Sequence, residues 1–240
     1  MVQAIVWGFV QGITEFLPIS SDGHLVLVPA FLGIERPDLA VTAVLHLGTL
    51  AAVIAFFRRE LWSLSRVGSD PAARRLMLLM VIGTIPAIAA VIFEDEVAEL
   101  QQSTTVAAVF LIVTGVVMLI ASRFAGGTRT MEEAQPLDAA LIGVAQVLAV
   151  LPGLSRSGTT ISTGILRGFD RVEAARFSFI LGVPAVAGAG LLELFKLLGG
   201  EGVKAVTWVG VAVAAVTGYL AIAFLLRLLS RIGLIPFALY

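Results

Sequence analysis

The sequence PGLSRSGTT at residues 152–160 interrupts an apolar run that extends from 137 to 168. A second interruption, at 18–23 within QGITEFLPISSDGHL (11–25), breaks residues 1–34 in the same way. Non-helical backbone at membrane depth is tolerated only where protein buries it or where it lines a cavity. Each run therefore predicts a re-entrant helix–loop–helix that does not cross the bilayer, with a kinked helix packed inside a bundle as the alternative.

The composition around these interruptions is that of a membrane protein. Of 240 residues, 58% are hydrophobic and 14% charged, whereas soluble chains carry about 25% charged residues. A spanning helix needs about 20 mainly apolar residues, and five stretches meet that requirement: 38–57, 76–93, 104–122, 172–198 and 205–229. We therefore predict an all-α polytopic membrane protein that forms a single transmembrane domain over residues 1–240.

The two halves of the chain resemble each other. Four residues recur 134 positions later, and Gly8 and Gln11 recur 135 positions later as Gly143 and Gln146. The four pairs are Pro18 with Pro152, Ser21 with Ser155, Leu47 with Leu181, and Gly48 with Gly182. We predict a first repeat at 1–124 and a second at 137–240. The same offset moves 104–122 to 238–256, so the second repeat is expected to be shortened at its C-terminus: either the protein lacks the last helix or the sequence is truncated after Tyr240.

The arginines predict the orientation of the chain. Cytoplasmic loops of membrane proteins carry an excess of Lys and Arg, and loop 58–75 contains five arginines. Loop 94–103 holds four acidic residues and no base, which fits the opposite side. The later loops that contain arginine also fall on the cytoplasmic side when the spans are followed in order. Span 38–57 then runs inward, and its repeat mate 172–198 runs outward. The repeats are therefore expected to be inverted, in a multi-pass protein of the plasma membrane.

The first interrupted stretch carries candidate catalytic residues. Gln11 and Glu15 are four residues apart and share one helix face. A carboxylate at bilayer depth costs about 2.5–3.5 kcal/mol on insertion scales, so Glu15 requires a partner or a function. Ser21 supplies a hydroxyl that can act as a nucleophile or as a hydrogen-bond donor to phosphate, and His24 can transfer a proton near neutral pH. The structural alternatives are an interfacial Glu15 and a His24 that only hydrogen-bonds a helix end.

The second interrupted stretch has the features of an anion site. Arg156 offers a planar, permanently charged fork for phosphate oxygens, and the helix that follows points amide donors at an anion. Arg156 paired with Glu15 for structure alone is the alternative. If the two loops meet, the first loop's acid and hydroxyl face this cationic cradle, which suits a substrate with an anionic head and a lipid tail. Candidate substrate-binding residues are Gln11, Ser20, Gly153, Ser155, Ser157 and Thr160.

Several other classes of site and partner are not expected. The chain contains two histidines, His24 and His46, and no cysteine, so a His- or Cys-based metal cage is not predicted. We interpret His46, inside an apolar span, as a packed and hydrogen-bonded helix residue. The net charge of −1 provides no basic field for nucleic acid.

With these motifs in view, the chain resembles the undecaprenyl-pyrophosphate phosphatase family of the bacitracin-resistance type. That family has a (Glu/Gln)-x-x-x-Glu motif, a Ser-Ser-x-Gly-His segment and a Pro-Gly-x-Ser-Arg-Ser-x-x-Thr motif, matched in order here. The resemblance implies re-entrant inverted repeats, an extracytoplasmic active site and hydrolysis of long-chain polyprenyl pyrophosphate to the monophosphate carrier used in peptidoglycan synthesis. It also implies that Glu15, Ser21, His24 and Arg156 form the catalytic set.

The chain departs from that family pattern at Asp22, where Thr is usual. An acid there is expected either to lower affinity for a polyanion or to recruit a divalent cation, Mg²⁺ or Ca²⁺, with the pyrophosphate. The pattern leaves open which of Glu15 and His24 is the general base, and it leaves a homodimer open. The rival function is a polyprenyl-phosphate transporter, because inverted repeats with broken helices also typify alternating-access carriers.

Overall fold

The computed structural model describes residues 1–90, 100, 103–199 and 203–240. Helices dominate it, and the extended structure among these residues is one isolated bridge between Arg129 and Phe169. The predicted all-α class is confirmed. The helices are α1 Val2–Phe16, α2 Ser21–Leu32, α3 Leu39–Phe56, α4 Arg58–Ser63, α5 Pro71–Ala90, α6 Thr104–Ser122, α7 Pro136–Leu148, α8 Arg156–Leu166, α9 Arg171–Leu198, α10 Ala205–Ile232 and α11 Ile235–Leu239.

Four of these helices, α3, α6, α9 and α10, are long and apolar enough to cross a membrane. They expose large apolar side chains, such as Ile112, Phe195 and Leu220, across much of their outer surface. Soluble monomers rarely expose contiguous apolar patches of this kind, so lipid is the natural solvent for these faces. The fifth predicted span, 76–93, overlaps α5, but its last three residues lie outside the described residues, as does most of the acidic loop 94–103.

Both predicted interruptions are observed as breaks between helices. The helix α1 ends at Phe16 and α2 begins at Ser21, while α7 ends at Leu148 and α8 begins at Arg156. Each second helix is capped by a serine hydroxyl that accepts a backbone N–H: Ser20 from Gly23 and Ser155 from Gly158. Such caps satisfy donors that a helix start leaves free. The two helices of each pair pack against each other, α1 on α2 and α7 on α8.

Glycines allow the short helices to cross the long ones closely. A Cβ atom on Gly8 of α1 would collide with the backbone of Gly210 in α10. A Cβ atom on Gly143 of α7 would collide with the backbone of Gly83 in α5 in the same manner. Helix association in membranes depends on such small residues, because lipid tails offer no hydrophobic driving force between helices. Each interrupted pair is therefore held by a long helix from the other half of the chain.

Ion pairs join the segments at one end of the bundle. Asp138 of α7 is fully buried and accepts hydrogen bonds from Arg129 (2.6 Å) and Arg167 (2.7 Å). Burial by itself raises the pKa of Asp138, but hydrogen bonds from Arg129, the Gln135 amide and Arg167 outweigh it and hold the pKa below its ordinary value. Arg176 at the start of α9 binds Glu60 of α4 at 2.8 Å. The arginine-rich segments thus gather at one end of the molecule.

Candidate active site

The carboxylate of Glu15 lies at the centre of the polar cluster. It sits in the last turn of α1, and its side chain is only 5% exposed. Oε2 accepts hydrogen bonds from Gln11 Nε2 (2.9 Å) and from Ser21 Oγ (2.8 Å). Oε1 pairs with Nη2 of Arg156, which begins α8. The burial of Glu15 is incompatible with the alternative in which it is an interfacial residue.

The two interrupted stretches meet at two points. The first is the ion pair between Arg156 and Glu15. The second is a hydrogen bond of 3.0 Å from Ser157 Oγ to the carbonyl of Leu17, inside the first break. The side chain of Arg156 is 27% exposed, so part of it remains accessible while its guanidinium contacts Glu15. The predicted juxtaposition of the two loops is therefore confirmed.

The second loop is fixed from outside by α6. Gly153 has a φ of +86°, a conformation that glycine adopts at low cost, and it lies against the carbonyl of Ala107. Thr114 of α6 accepts a hydrogen bond from the Ser155 amide at 3.1 Å, and its hydroxyl, which donates to the Phe110 carbonyl, also lies 3.4 Å from the Gly153 carbonyl. One threonine thereby fixes the backbone just before Arg156, which sets where the guanidinium can reach.

His24 is close in sequence to Ser21 but is engaged elsewhere. Its Nδ1 lies 2.8 Å from the carbonyl of Ser20, a residue held at a φ of +68°. A carbonyl can only accept, so Nδ1 carries the proton and Nε2 accepts from the Tyr240 hydroxyl at 3.1 Å. The two rings are also stacked, with centroids 5.8 Å apart. The role of His24 as a catalytic residue stays a prediction.

The candidate substrate-binding hydroxyls are used within the fold. Ser20 and Ser155 cap helices, Ser157 joins the loops, and Thr160 donates to the Arg156 carbonyl at 2.6 Å. All four residues are buried. They shape the loop backbone in this structure, and direct contact of any of them with a substrate remains a prediction.

The interpretation of His46 as a packed helix residue is incomplete. Its Nδ1 contacts the Thr42 carbonyl (2.8 Å), which is the expected intrahelical bond. Its Nε2, however, lies 3.4 Å from Oε2 of Glu15. The available signal was an ionisable residue inside a spanning segment, which favours a functional site by default. His46 therefore joins Glu15, Ser21 and Arg156 in one polar cluster.

A cavity of about 580 Å³ is lined by sequence neighbours of this cluster, among them Asp22 next to Ser21 and Thr42 one helical turn before His46. It borders both loops, at Asp22 and at Pro152, and it contains charged groups of both signs. The remaining walls are mostly apolar and come from α2, the start of α3, Ala107 of α6 and Pro152. The charged residues that line it are Asp22, Arg36, Asp38 and Glu193.

Comparison with known proteins gives one consistent family. Residues 4–240 match the model of a family described as bacitracin resistance protein BacA. The chain is 44% identical to an undecaprenyl-diphosphatase of Thermomicrobium roseum, in an alignment that covers 99% of this chain and 93% of that protein. It is 42% identical to an undecaprenyl-diphosphatase of Desulforudis audaxviator, with 99% and 92% covered. It is 38% identical to an undecaprenyl-diphosphatase of Methanosphaera stadtmanae, with 100% and 94% covered. The chain belongs to the bacitracin resistance protein BacA family.

Proposed function

We propose that this protein hydrolyses undecaprenyl-type polyprenyl pyrophosphate to the monophosphate and inorganic phosphate, and so recycles the lipid carrier of cell-envelope glycan synthesis. The observation that carries the proposal is the contact of Ser21 Oγ and the Arg156 guanidinium with one buried carboxylate, Glu15, inside an apolar bundle. Phosphoryl transfer to a hydroxyl requires that hydroxyl, a base and a permanently charged cation within hydrogen-bonding reach of one another. The names of relatives at 38–44% identity agree with this activity.

In the proposed mechanism, Arg156 and the first-turn amides of α8 neutralise the charge that develops on the terminal phosphoryl group, usually the largest catalytic contribution. The oxygen of Ser21 forms a bond to the terminal phosphorus as its proton passes to Glu15. The bond to the bridging oxygen breaks, and polyprenyl monophosphate leaves with that oxygen. Water then releases inorganic phosphate from Ser21. Alternatively, Ser21 orients a water molecule that attacks directly.

Contact geometry favours Glu15 over His24 as the general base. Glu15 is the carboxylate that Ser21 touches, at 2.8 Å, and a base must lie within hydrogen-bonding reach of the proton it removes. Both ring nitrogens of His24 are occupied by Ser20 and Tyr240. A transporter would need cationic and hydroxyl ligands for the head group but no hydroxyl paired with a base. The Ser21–Glu15 hydrogen bond therefore argues for cleavage over transport.

We also propose that the site opens to the extracytoplasmic side. The cavity is lined by Asp38 at the start of α3 and by Glu193 near the end of α9. The opposite ends of the same two helices carry Arg58 and Arg171, within the arginine-rich segments expected in the cytoplasm. The lipid head group would then enter from the outer surface, while its tail stays among apolar helix faces.

The inverted-repeat and re-entrant arrangement is likewise proposed, for 1–124 and 137–240. It is supported by the two interrupted pairs, α1–α2 and α7–α8, whose second helices begin at residues that touch Glu15. It is also supported by the reciprocal glycine crossings, in which α1 packs on α10 and α7 packs on α5.

We propose that a divalent cation, Mg²⁺ or Ca²⁺, accompanies the substrate. Among the described residues no three His, Asp or Glu side chains are grouped so that they could hold a metal ion. Such an ion would be held mainly by pyrophosphate oxygens, as is usual for Mg²⁺.

The test is phosphate release by purified protein in detergent from a long-chain polyprenyl pyrophosphate. Ser21→Ala and Arg156→Ala are expected to lower kcat by about 100-fold or more, because each removes a group that acts on the transferred phosphoryl. The exposed residues Ser65 and Arg66 offer matched controls, Ser65→Ala and Arg66→Ala. Activity near wild type in Arg156→Ala would contradict the mechanism.

A further inference from the structure

Two groups in contact with Glu15 have no part in the proposed mechanism: Gln11, which is a neutral amide, and His46, which can carry a charge. His46 projects from the middle of α3, whereas Glu15, Ser21 and Arg156 come from the two interrupted stretches. Its Nε2 is 3.4 Å from Glu15 Oε2, and its side chain is 24% exposed. The contact joins a spanning helix directly to the candidate base.

The hydrogen-bonding partners of His46 define its proton content. Nδ1 faces the carbonyl oxygen of Thr42 and Nε2 faces the carboxylate of Glu15. Both are acceptors, and neutral imidazole carries only one N–H. An imidazolium ring donates to both at once. The resting site therefore holds two cations, His46 and Arg156, around one carboxylate.

Substrate binding changes this balance. The guanidinium of Arg156 binds Glu15 in the resting site, yet the same fork is the cationic ligand for the pyrophosphate. When Arg156 turns to the substrate, Glu15 would lose that cation while remaining buried, and an unpaired buried charge is strongly unfavourable. A second cation that contacts Glu15 but not the phosphate would remove this penalty.

We propose that His46 is a positioning residue that keeps Glu15 charged and directed at Ser21 while Arg156 binds the pyrophosphate. The proposal rests on the proposed phosphatase function. It predicts that activity falls as pH rises through the deprotonation of His46. The charged groups around His46 are Glu15 on α1, Asp22 on α2 and Arg156 on α8, with Glu193 of α9 lining the cavity beside Thr42.

The experiment compares kcat and KM across pH for wild type, His46→Ala and His46→Gln with a long-chain polyprenyl pyrophosphate. We expect His46→Ala to lower kcat about tenfold or more, with KM changed less than about threefold, because a hydrogen bond to a charged group is lost. His46→Gln restores a donor without a charge that titrates. It is expected to recover only part of kcat at neutral pH, because the hydrogen-bond donor returns without the positive charge, and to lack the alkaline decline that wild type has.

Val44→Ala is the control, since Val44 is a buried residue of α3 that does not line the site. The proposal is overturned if His46→Ala has the kcat and pH profile of Val44→Ala. If His46→Ala cannot be purified as folded protein, an alkaline decline that is unchanged in His46→Gln overturns it. If Ser21→Ala and Arg156→Ala lose activity while the His46 variants keep the kinetics of the wild type, only this inference is rejected. If Ser21→Ala and Arg156→Ala remain active, the phosphatase mechanism itself is rejected.

Discussion

At the scale of single residues, the site is organised around one carboxylate with four polar neighbours. Glu15 binds Gln11 from its own helix, Ser21 from the first break, Arg156 from the second break and His46 from α3. Three parts of the chain that are remote in sequence thus converge on two oxygen atoms. A carboxylate buried among apolar helices is retained only when such partners compensate its lost hydration.

Asp22 gives a residue-scale prediction about affinity. It is exposed at the cavity, where it adds negative charge beside the path of a polyanionic head group. Asp22→Thr is expected to lower KM by roughly two- to fivefold with little change in kcat, since charges in solvated sites interact by about 1 kcal/mol or less. Steady-state kinetics at low and high salt measure this, and the difference should shrink in high salt.

Asp22→Asn, which keeps the shape and removes the charge, should behave like Asp22→Thr. An increase in KM for both variants would mean that Asp22 assists binding, as a carboxylate that recruits a cation would.

At the scale of elements, the sequence predicted the helices well because their determinants are local. The spans 38–57 and 172–198 are observed as Leu39–Phe56 and Arg171–Leu198. The breaks were also predicted, since Pro and Gly end helices and Ser caps them in any context. Local pattern thus accounts for helix bounds and for both interruptions.

The contacts of His46 and Tyr240 could not be predicted in the same way. The His24–Tyr240 hydrogen bond joins residues 216 positions apart, and the rotation of α3 decides whether His46 meets Glu15. A helix that is apolar on all sides has no amphipathic pattern, so its sequence does not show which face is turned toward Glu15. The meeting of Glu15 with Arg156 was predictable because an acid and a cation within apolar sequence each require a partner.

The glycine crossings give an element-scale prediction about stability. Gly143→Ala would force α7 away from α5, because the added Cβ meets the backbone of Gly83. Overpacking of this kind costs about 1–3 kcal/mol, which corresponds to a fall of roughly 5 °C in the unfolding temperature. Thermal unfolding in detergent measures it. Gly68→Ala, where a Cβ meets open space, is the control, and equal unfolding temperatures for both variants would refute the prediction.

Asp138 gives a second element-scale prediction, about acid stability. Since its pKa in the folded protein is lowered, its contribution to stability is complete above the ordinary pKa of about 4 and is lost as pH falls through the lower folded value. Asp138→Asn removes that dependence. It is also expected to lower the free energy of unfolding at neutral pH by roughly 3 kcal/mol, because two arginines lose their buried partner.

Unfolding temperatures of the wild type and of Asp138→Asn, measured from about pH 3 to about pH 7, test both the acid dependence and the loss of stability at neutral pH. Glu132→Gln alters an exposed acid three residues before Gln135 and serves as the control. If the unfolding temperature of Asp138→Asn falls as steeply with acid as that of the wild type, other groups are responsible for the acid dependence.

At the scale of the whole molecule, the charge distribution predicts the orientation. The absence of cysteine from the chain allows single cysteines to report sidedness without background. Glu35 and Ser69 are both exposed, on opposite sides of span α3. In intact cells, Glu35→Cys should react with a membrane-impermeant thiol reagent and Ser69→Cys should not. Reversed labelling would place the cavity on the cytoplasmic side.

The pairing of Arg156 with Glu15 gives the empty protein an internal competitor for its own anion site. Free phosphate and other small anions must displace a carboxylate that is already bound there, so anions that bind weakly are excluded without a closing lid. In the proposed mechanism the same ion pair would re-form at the end of each turnover, when the phosphate product leaves and Arg156 returns to Glu15. An enzyme of this design should resist inhibition by accumulated orthophosphate.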